Sequence, residues 1–203
     1  MKLKDVIVIT LLGVAGLVIS MVLGMVVEIF GIYGLFLNTS LGSLLSAPIY
    51  FAMCHKIHKR GTVFLYYLIM GLVYTLIGFF PMLFILLAAG LVGEVIIFKA
   101  ENYTNDTTIA VSYIISQAVY SLHGFFFILI LGVQGLVKTF PNLFTLEAVQ
   151  RIHDIFLNFR NIMIILLIQI VASFIGTLFG KQVNKRFFNK NKTSYANHGG
   201  ILK

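Results

Sequence analysis

Six runs of apolar residues constrain this chain more than any other feature of its sequence. They cover residues 6–27, 32–53, 62–80, 82–98, 109–133 and 162–180. A helix needs roughly 20 apolar residues to cross the hydrocarbon core of a bilayer. Since 59% of the residues are hydrophobic and only 11% are charged, the sequence predicts an all-α integral membrane protein with six transmembrane helices, located in the cell membrane.

The third and fourth runs meet at Pro81 with almost no polar connection between them. One helix through both runs would be too long for the bilayer, and proline favours the first turn of a new helix. We therefore expect a tight hairpin at this point. The six runs are expected to form one membrane domain, residues 1–188, followed by a flexible basic cytoplasmic tail, residues 189–203.

The basic residues predict the orientation of the helices. With the N-terminus inside the cell, all but three of the 15 Lys and Arg residues fall in cytoplasmic segments; the exceptions are Lys138, Arg151 and Arg160. This distribution satisfies the positive-inside rule. Both termini are therefore expected in the cytoplasm, and the connection 134–160 is expected outside. Because topology accounts for the net charge of +8, the sequence indicates a lipid bilayer and no nucleic acid as a partner.

The outer connection between the fifth and sixth runs is expected to contain a short amphipathic helix over residues 145–158. Thr145 can cap its N-terminus, with Glu147 in the first turn. Glu147 and Arg151 are one turn apart, and Ile152 and Phe156 belong to an apolar stripe. Such a helix either lies on the outer membrane surface or folds over a pocket.

The fifth run carries polar side chains in an otherwise apolar segment. At helical spacing Tyr113, Gln117 and Tyr120 lie near one line, with Ser116 and His123 at its edge. Of these, Tyr113 and Ser116 lie nearer the expected cytoplasmic end, away from a pocket that opens outside. Aromatic walls with a few polar groups are typical of small-molecule pockets. We predict that a substrate is bound by Asn38, Gln117, Tyr120 and His123, with Arg151 and His153 from the outer helix.

Small and ionisable residues mark two further features. Gly16, Ser20 and Gly24 recur at intervals of four in the first run, a spacing that allows close helix contact in lipid. Both internal packing and docking to another membrane subunit are consistent with this stripe. Glu28 and Glu94 are ionisable groups within or beside apolar runs, but each lies near enough to an end of its run to be solvated.

No motif for enzymatic or ATP-driven chemistry is present. The sequence lacks a Walker lysine loop, a His-Glu-x-x-His metal pair and the GxSxG elbow of serine hydrolases. We therefore predict no catalytic residue, no metal site and no cofactor. Two alternatives stay open: a membrane-embedded enzyme, for which His123 and Ser121 are poorly spaced, and a stand-alone carrier, for which inverted repeats or buried charges would be expected.

Four stretches resemble the substrate-binding S components of energy-coupling factor (ECF) transporters, and more narrowly the MptD, or Trep-Strep, family. They are KLKD at residues 2–5, the segment 43–60 that ends in basic residues, the run 78–96 and the closing segment 175–187. S components are small six-helix proteins with both ends inside and a long outer connection between helices five and six.

The resemblance implies a function. Such a protein would capture a vitamin-like or other micronutrient solute at the outer face and dock on a transmembrane coupling subunit that carries two ATPase subunits. Gly16, Ser20 and Gly24 would then stand where many S components carry an alanine-based docking motif on the first helix. The resemblance leaves open whether the solute is a vitamin, a haem or corrinoid, or a metal chelate.

Overall fold

The computed structural model describes residues 1–188, with side chains as far as Arg186, so the predicted tail lies outside the described residues. Those residues form helices and no strand. Short 3-10 turns cover Gly31–Tyr33 and Ala100–Thr104. The α-helices are α1 (Leu3–Glu28), α2 (Gly34–Leu37), α3 (Ser40–Lys56), α4 (Thr62–Leu76), α5 (Pro81–Ile97), α6 (Asp106–Ser121), α7 (His123–Thr139), α8 (Leu146–Phe156) and α9 (Phe159–Phe188).

Six of the helices form a closed ring. Helix α1 packs on α3, α3 on α9, α9 on α6, α6 on α5, α5 on α4, and α4 returns to α1. Four segments are long and apolar enough to cross a membrane: Leu3–Glu28, Gly31–Lys56, Asp106–Thr139 and Phe159–Arg186. Helices α4 and α5 are apolar but only 15 and 17 residues long. The six-crossing topology with both termini inside stays a prediction.

Helices α4 and α5 form the expected hairpin. Gly78 has a φ of +100°, which glycine adopts without a steric penalty, and Pro81 begins α5 in its first turn. At the opposite end of the hairpin, the Glu94 carboxylate accepts hydrogen bonds from the backbone N–H groups of Gly61 at 2.6 Å and Val63 at 3.1 Å. A helix N-terminus favours a negative charge, so Glu94 ties α5 to the start of α4.

Polar side chains inside the ring bond one helix to another. Thr39 donates to the Gln169 amide oxygen at 2.7 Å, and Gln169 donates to Ser173 at 2.8 Å, which joins the start of α3 to α9. On α6, Ser112 donates to the Gly93 carbonyl and Ser116 to the Ala89 carbonyl of α5. Hydrocarbon offers no alternative partner, so such groups are satisfied within the bundle.

The fifth apolar run is broken, whereas a continuous helix was expected over residues 109–133. Helix α6 ends at Ser121 and α7 begins at His123, with Leu122 between them at a non-helical ψ of 13°. Ser121 donates to the Ala118 carbonyl, and such short side-chain bonds compete with helical hydrogen bonding. A second break lies at Gly132, with φ +65° and ψ 173°. As a result, α7 leaves the ring and packs against α8.

Candidate functional site

A cavity of about 350 Å³ opens at the end of the bundle where α1 finishes and α5 begins. Most basic residues of the described chain, among them Lys56, Lys99 and Lys185, lie at helix ends on the opposite side; Lys138, Arg151 and Arg160 are the exceptions. The volume is at the small end of the range of ligand pockets, roughly 300–1,000 Å³. The cavity is lined by Ser20, Met21, Gly24, Met25, Glu28, Leu35, Asn38, Tyr74, Phe79, Met82, Tyr120, His123, Gly124, Phe127, Leu136, Leu143, Phe144, Ile152 and Phe156.

Aromatic rings and methionines make most of the cavity wall. His123 and Phe156 have ring centroids 6.2 Å apart at an angle of 61°, and His123 and Phe127 meet edge to face at 6.5 Å. Phe79, also in the wall, stacks on Phe140 behind it, with ring centroids 5.4 Å apart. Aromatic pairs prefer such offset and edge-on arrangements. The wall therefore offers rigid apolar surface to a compact ring-bearing solute.

Six polar side chains interrupt the apolar wall: Ser20, Glu28, Asn38, Tyr74, Tyr120 and His123. The hydroxyls of Tyr74 and Tyr120 are hydrogen-bonded to each other at 3.0 Å, and His123 Nδ1 lies 3.3 Å from the Tyr120 carbonyl oxygen. Among the described residues, the Asn38 amide has no hydrogen-bond partner, and the Tyr pair can use only one of its two hydroxyl protons internally. These groups can therefore bind and orient a solute.

The break between α6 and α7 brings Tyr120, His123 and Gly124 to the cavity. Without the break at Leu122, α6 and α7 would form one straight helix. Gly124 leaves room for the ring of Phe156, since an added Cβ would lie 2.6 Å from its Cζ atom. The glycine thus allows α8 to approach α7 closely at the edge of the cavity.

Helix α8 covers the cavity. Its existence and its cap were predicted, and both are confirmed: Thr145 Oγ1 accepts a hydrogen bond from the backbone N–H of Ala148 at 3.2 Å. Val149 and Phe156 are buried, and Ile152 and Phe156 line the cavity. Of the two positions left open for this helix, the structure therefore shows the one in which it folds over a pocket.

Three of the six predicted substrate-binding residues, Asn38, Tyr120 and His123, line the cavity together. Gln117 lies outside it, because its side chain is buried one turn further down α6 and donates to the Tyr67 hydroxyl at 3.2 Å. Contact with a solute therefore stays a prediction for Asn38, Tyr120 and His123. Gln117 instead makes a hydrogen bond inside the protein.

The two predicted residues of α8 do not line the cavity either. Arg151 is exposed and pairs with Glu147 at 3.5 Å, one helical turn away. His153 Nδ1 lies 3.0 Å from the Asp154 carboxylate, and its hydrogen bond, followed by that of Gln150, lowers the pKa of Asp154 below its usual value. Arg151 and His153 therefore contact other side chains of α8 itself, whereas the apolar stripe of α8 faces the cavity.

The small-residue stripe of α1 faces the inside of the protein. Gly16 is buried against the ring of Tyr66, whose Cζ would lie 3.3 Å from an added Cβ. Ser20 and Gly24 line the cavity. Docking of a partner through Gly16, Ser20 and Gly24 stays a prediction, and in this conformation all three make contacts within the chain. The exposed apolar face of α1 lies on its other side, with Leu11, Val18 and Val22.

Tyr74, Phe79 and Met82 line the cavity but were not singled out from the sequence. They belong to the third and fourth apolar runs, where aromatic and sulfur side chains do not stand out from their neighbours. One signal was available: Tyr67 and Tyr74 are seven residues apart, two helical turns, so they share one face of α4. That face is the one that meets the polar face of α6.

The sequence was compared with known protein families, curated proteins and solved structures. It matches the family described as hypothetical bacterial integral membrane protein (Trep_Strep) over residues 3–190. No curated protein and no solved structure matches the chain. The helices long and apolar enough to cross a membrane agree with the family description. The chain is therefore a multi-pass protein of the cell membrane and belongs to the Trep_Strep family of hypothetical bacterial integral membrane proteins.

Proposed function

We propose that this protein is the substrate-binding (S) subunit of an ECF-type ABC importer. It captures a vitamin-like or other micronutrient solute at the outer face, and partner subunits drive uptake with ATP. The observation that supports this proposal is the cavity of about 350 Å³, which lies at the end of the bundle opposite most of the basic residues and is covered by α8. A small apolar cavity with a few convergent polar groups is typical of a solute-binding site.

The apolar and the polar side chains of the cavity wall would have different roles in solute binding. Burial of an apolar ring against Phe127, Phe156 and Met82 would supply most of the affinity, at roughly 25 cal/mol per Å² of buried surface. Hydrogen bonds from Asn38 and the Tyr74–Tyr120 pair would fix the orientation of the solute. Each such bond contributes about 0.5–1.5 kcal/mol, so the polar groups would provide selectivity more than affinity.

Helix α8 would act as the cover that admits the solute. Its apolar side chains Val149, Ile155 and Phe156 are buried, and exposing one such side chain to water costs about 1.5–3 kcal/mol. A solute in contact with Ile152 and Phe156 adds apolar surface beneath the cover. Bound solute would therefore favour the closed position of α8.

The energy for uptake would come from other chains, because the sequence has no Walker lysine loop of its own. A transmembrane coupling subunit and two ATPase subunits are therefore proposed partners. The exposed apolar face of α1, which includes Leu11 and Val18, is available for contact with a coupling subunit, whereas the small-residue stripe would become available only after a rearrangement.

Solute retention tests the proposal directly. The purified protein should carry a small molecule that is released on denaturation and detected by mass spectrometry. The double variant Asn38→Leu, His123→Leu removes two polar groups of the cavity wall. Loss of two hydrogen bonds, at about 0.5–1.5 kcal/mol each, should weaken retention roughly 5- to 150-fold.

The matched control is His58→Leu, Asn142→Leu, which replaces the same two residue types at exposed positions that do not line the cavity. This control should retain the solute as the wild type does. Equal retention by both double variants, or a wild type that retains no solute, would contradict the proposal.

Expression with and without the ATPase partners distinguishes an S subunit from a stand-alone carrier or a membrane-embedded enzyme. An S subunit should co-purify with a coupling subunit and should take up solute only when the ATPases are present. Uptake into vesicles by this chain alone would indicate a stand-alone carrier. Recovery of the retained solute in a chemically converted form would indicate a membrane-embedded enzyme.

A further inference from the structure

The cavity is lined by one ionised side chain, and that side chain is acidic. Glu28 ends α1 at the rim, and within residues 1–188 its carboxylate makes no ion pair or hydrogen bond. Within residues 1–186, no Lys or Arg side chain lines the cavity. A solute with a carboxylate or phosphate group would therefore meet a negative charge and no counter-charge.

Two of the neutral polar side chains can also accept hydrogen bonds from a solute. The Tyr120 carbonyl oxygen can only accept, so in the contact at 3.3 Å the His123 imidazole carries its proton on Nδ1. That assignment leaves Nε2 as an acceptor with no partner in the described part of the chain. The Asn38 amide oxygen, close to Gly24, is a further acceptor.

The aromatic wall favours a positive charge for a separate reason. The rings of Tyr74, Phe79, Tyr120 and Phe127 surround the space, and the face of an aromatic ring attracts ammonium and related cations. Methionines such as Met21 and Met25 add polarisable surface near Glu28. Charge, hydrogen-bonding capacity and wall chemistry thus agree with one another.

We infer that the solute is a compact organic cation: an ammonium or protonated nitrogen heterocycle attached to an apolar ring, with its charge toward Glu28 and its ring between the aromatic side chains. The inference rests on the proposed function, because it names the substrate class of that same cavity. Large anionic solutes such as haem do not fit this class, since their carboxylates would find no basic side chain among the described residues of the wall.

Two matched pairs of probes test the charge preference. Phenethylamine and 3-phenylpropionate share a benzene ring, and tryptamine and indole-3-propionate share an indole, while the members of each pair differ in charge. Thermal unfolding of the purified full chain in detergent is measured with each probe. At about ten times its Kd a cation should raise Tm by roughly 3–6 °C, and its anionic partner should leave Tm unchanged.

Two variants at residue 28 and one control test whether the Glu28 carboxylate causes the preference for cations. Glu28→Gln should weaken cation binding about 1.5- to fivefold, the range expected for an exposed ion pair, and Glu28→Lys should transfer the stabilisation to the anions. Glu101→Gln, which changes an exposed carboxylate outside the cavity wall, should bind the cations as the wild type does.

Stabilisation by the anions equal to that by the cations overturns the inference, as does stabilisation by neither. Cation binding that is unchanged in both variants at residue 28 overturns it too. The proposed function is judged separately by the solute retained from cells: a retained anionic solute would contradict the cation inference and leave the proposed function standing, whereas no retained solute would contradict both.

Discussion

Glu94 illustrates how one ionised side chain is satisfied inside an apolar bundle. Its two carboxylate oxygens accept hydrogen bonds from three backbone N–H groups at the start of α4, at 2.6, 3.1 and 3.2 Å, and from the Tyr103 hydroxyl at 2.7 Å. Burial, and then the hydrogen bond to Glu94, raise the pKa of Tyr103, so this tyrosine stays protonated as a donor. Glu94 therefore has a structural role that its sequence position alone did not reveal.

Glu94→Gln should destabilise the protein, because the amide nitrogen cannot accept a hydrogen bond and leaves at least one buried N–H unpaired. We expect a loss of about 1–3 kcal/mol in the free energy of unfolding, measured by thermal or denaturant unfolding in detergent. Glu101→Gln changes an exposed carboxylate and should stay within about 0.5 kcal/mol of the wild type. Equal stability of the two variants would contradict the role of Glu94.

At the scale of elements, the packing of α8 on α7 determines whether the cavity is covered. The contact depends on Gly124, which lies directly beneath the buried ring of Phe156. The polar face of α6 has a different role from the one predicted for Gln117, because most of its side chains join α6 to α3, α4 and α5. The polar groups near the break between α6 and α7 are the ones that reach the cavity.

Gly124→Ala should push Phe156 away and open the cover, since a Cβ would overlap the ring. Overpacking of this kind costs about 1–3 kcal/mol, and we expect solute retention to fall roughly fivefold or more. Gly13→Ala is the matched control, because its Cβ would meet the nearest atom of Tyr66 at an ordinary 3.5 Å. Retention that falls equally in both variants would mean that the closed position of α8 does not depend on Gly124.

At the scale of the whole molecule, the closed ring of six helices separates two chemically different ends. One end carries most of the basic residues and the Glu94 cap, and the other carries the cavity and α8. The positive-inside rule then predicts that the cavity opens to the outside. Because α4 and α5 join at the cavity end, a cavity that opens outside would require these short helices to cross the membrane.

Cysteine labelling tests this orientation. In a Cys54→Ala background, Phe80→Cys and Asn142→Cys should react with a membrane-impermeant maleimide in intact cells, while Lys56→Cys and Glu101→Cys should react only after permeabilisation. All four positions are exposed, and Cys54, the one cysteine of the chain, is buried. Reaction of residues 80 and 101 from the same side would show that α5 does not cross the membrane.

The helices themselves were largely predictable, because each depends on local properties of the chain. Apolar runs predicted α1 and α9, Pro81 predicted the start of α5, and Thr145 with the apolar stripe predicted α8. The breaks at Leu122 and Gly132 were not predicted. Leucine and a single glycine both fit an apolar sequence pattern. The two breaks are therefore visible only in the backbone angles of the structure.

The candidate site was predictable in part. Asn38, Tyr120 and His123 were identified because polar side chains in an apolar run require partners. The same rule also selected Gln117, whose partner proved to be Tyr67 within the protein. A sequence shows that a polar group needs a partner, but it does not show whether that partner is another helix or a solute.

The sequence by itself determined the membrane environment, the positions of most helices and the expected orientation, because these follow from hydropathy and charge along the chain. Only the tertiary structure decided which polar residues face one cavity, that the stripe of Gly16, Ser20 and Gly24 faces inward, and that α8 covers the cavity. Those features depend on distances between segments that are far apart in sequence. Hydrogen bonding and close packing between such segments set those distances.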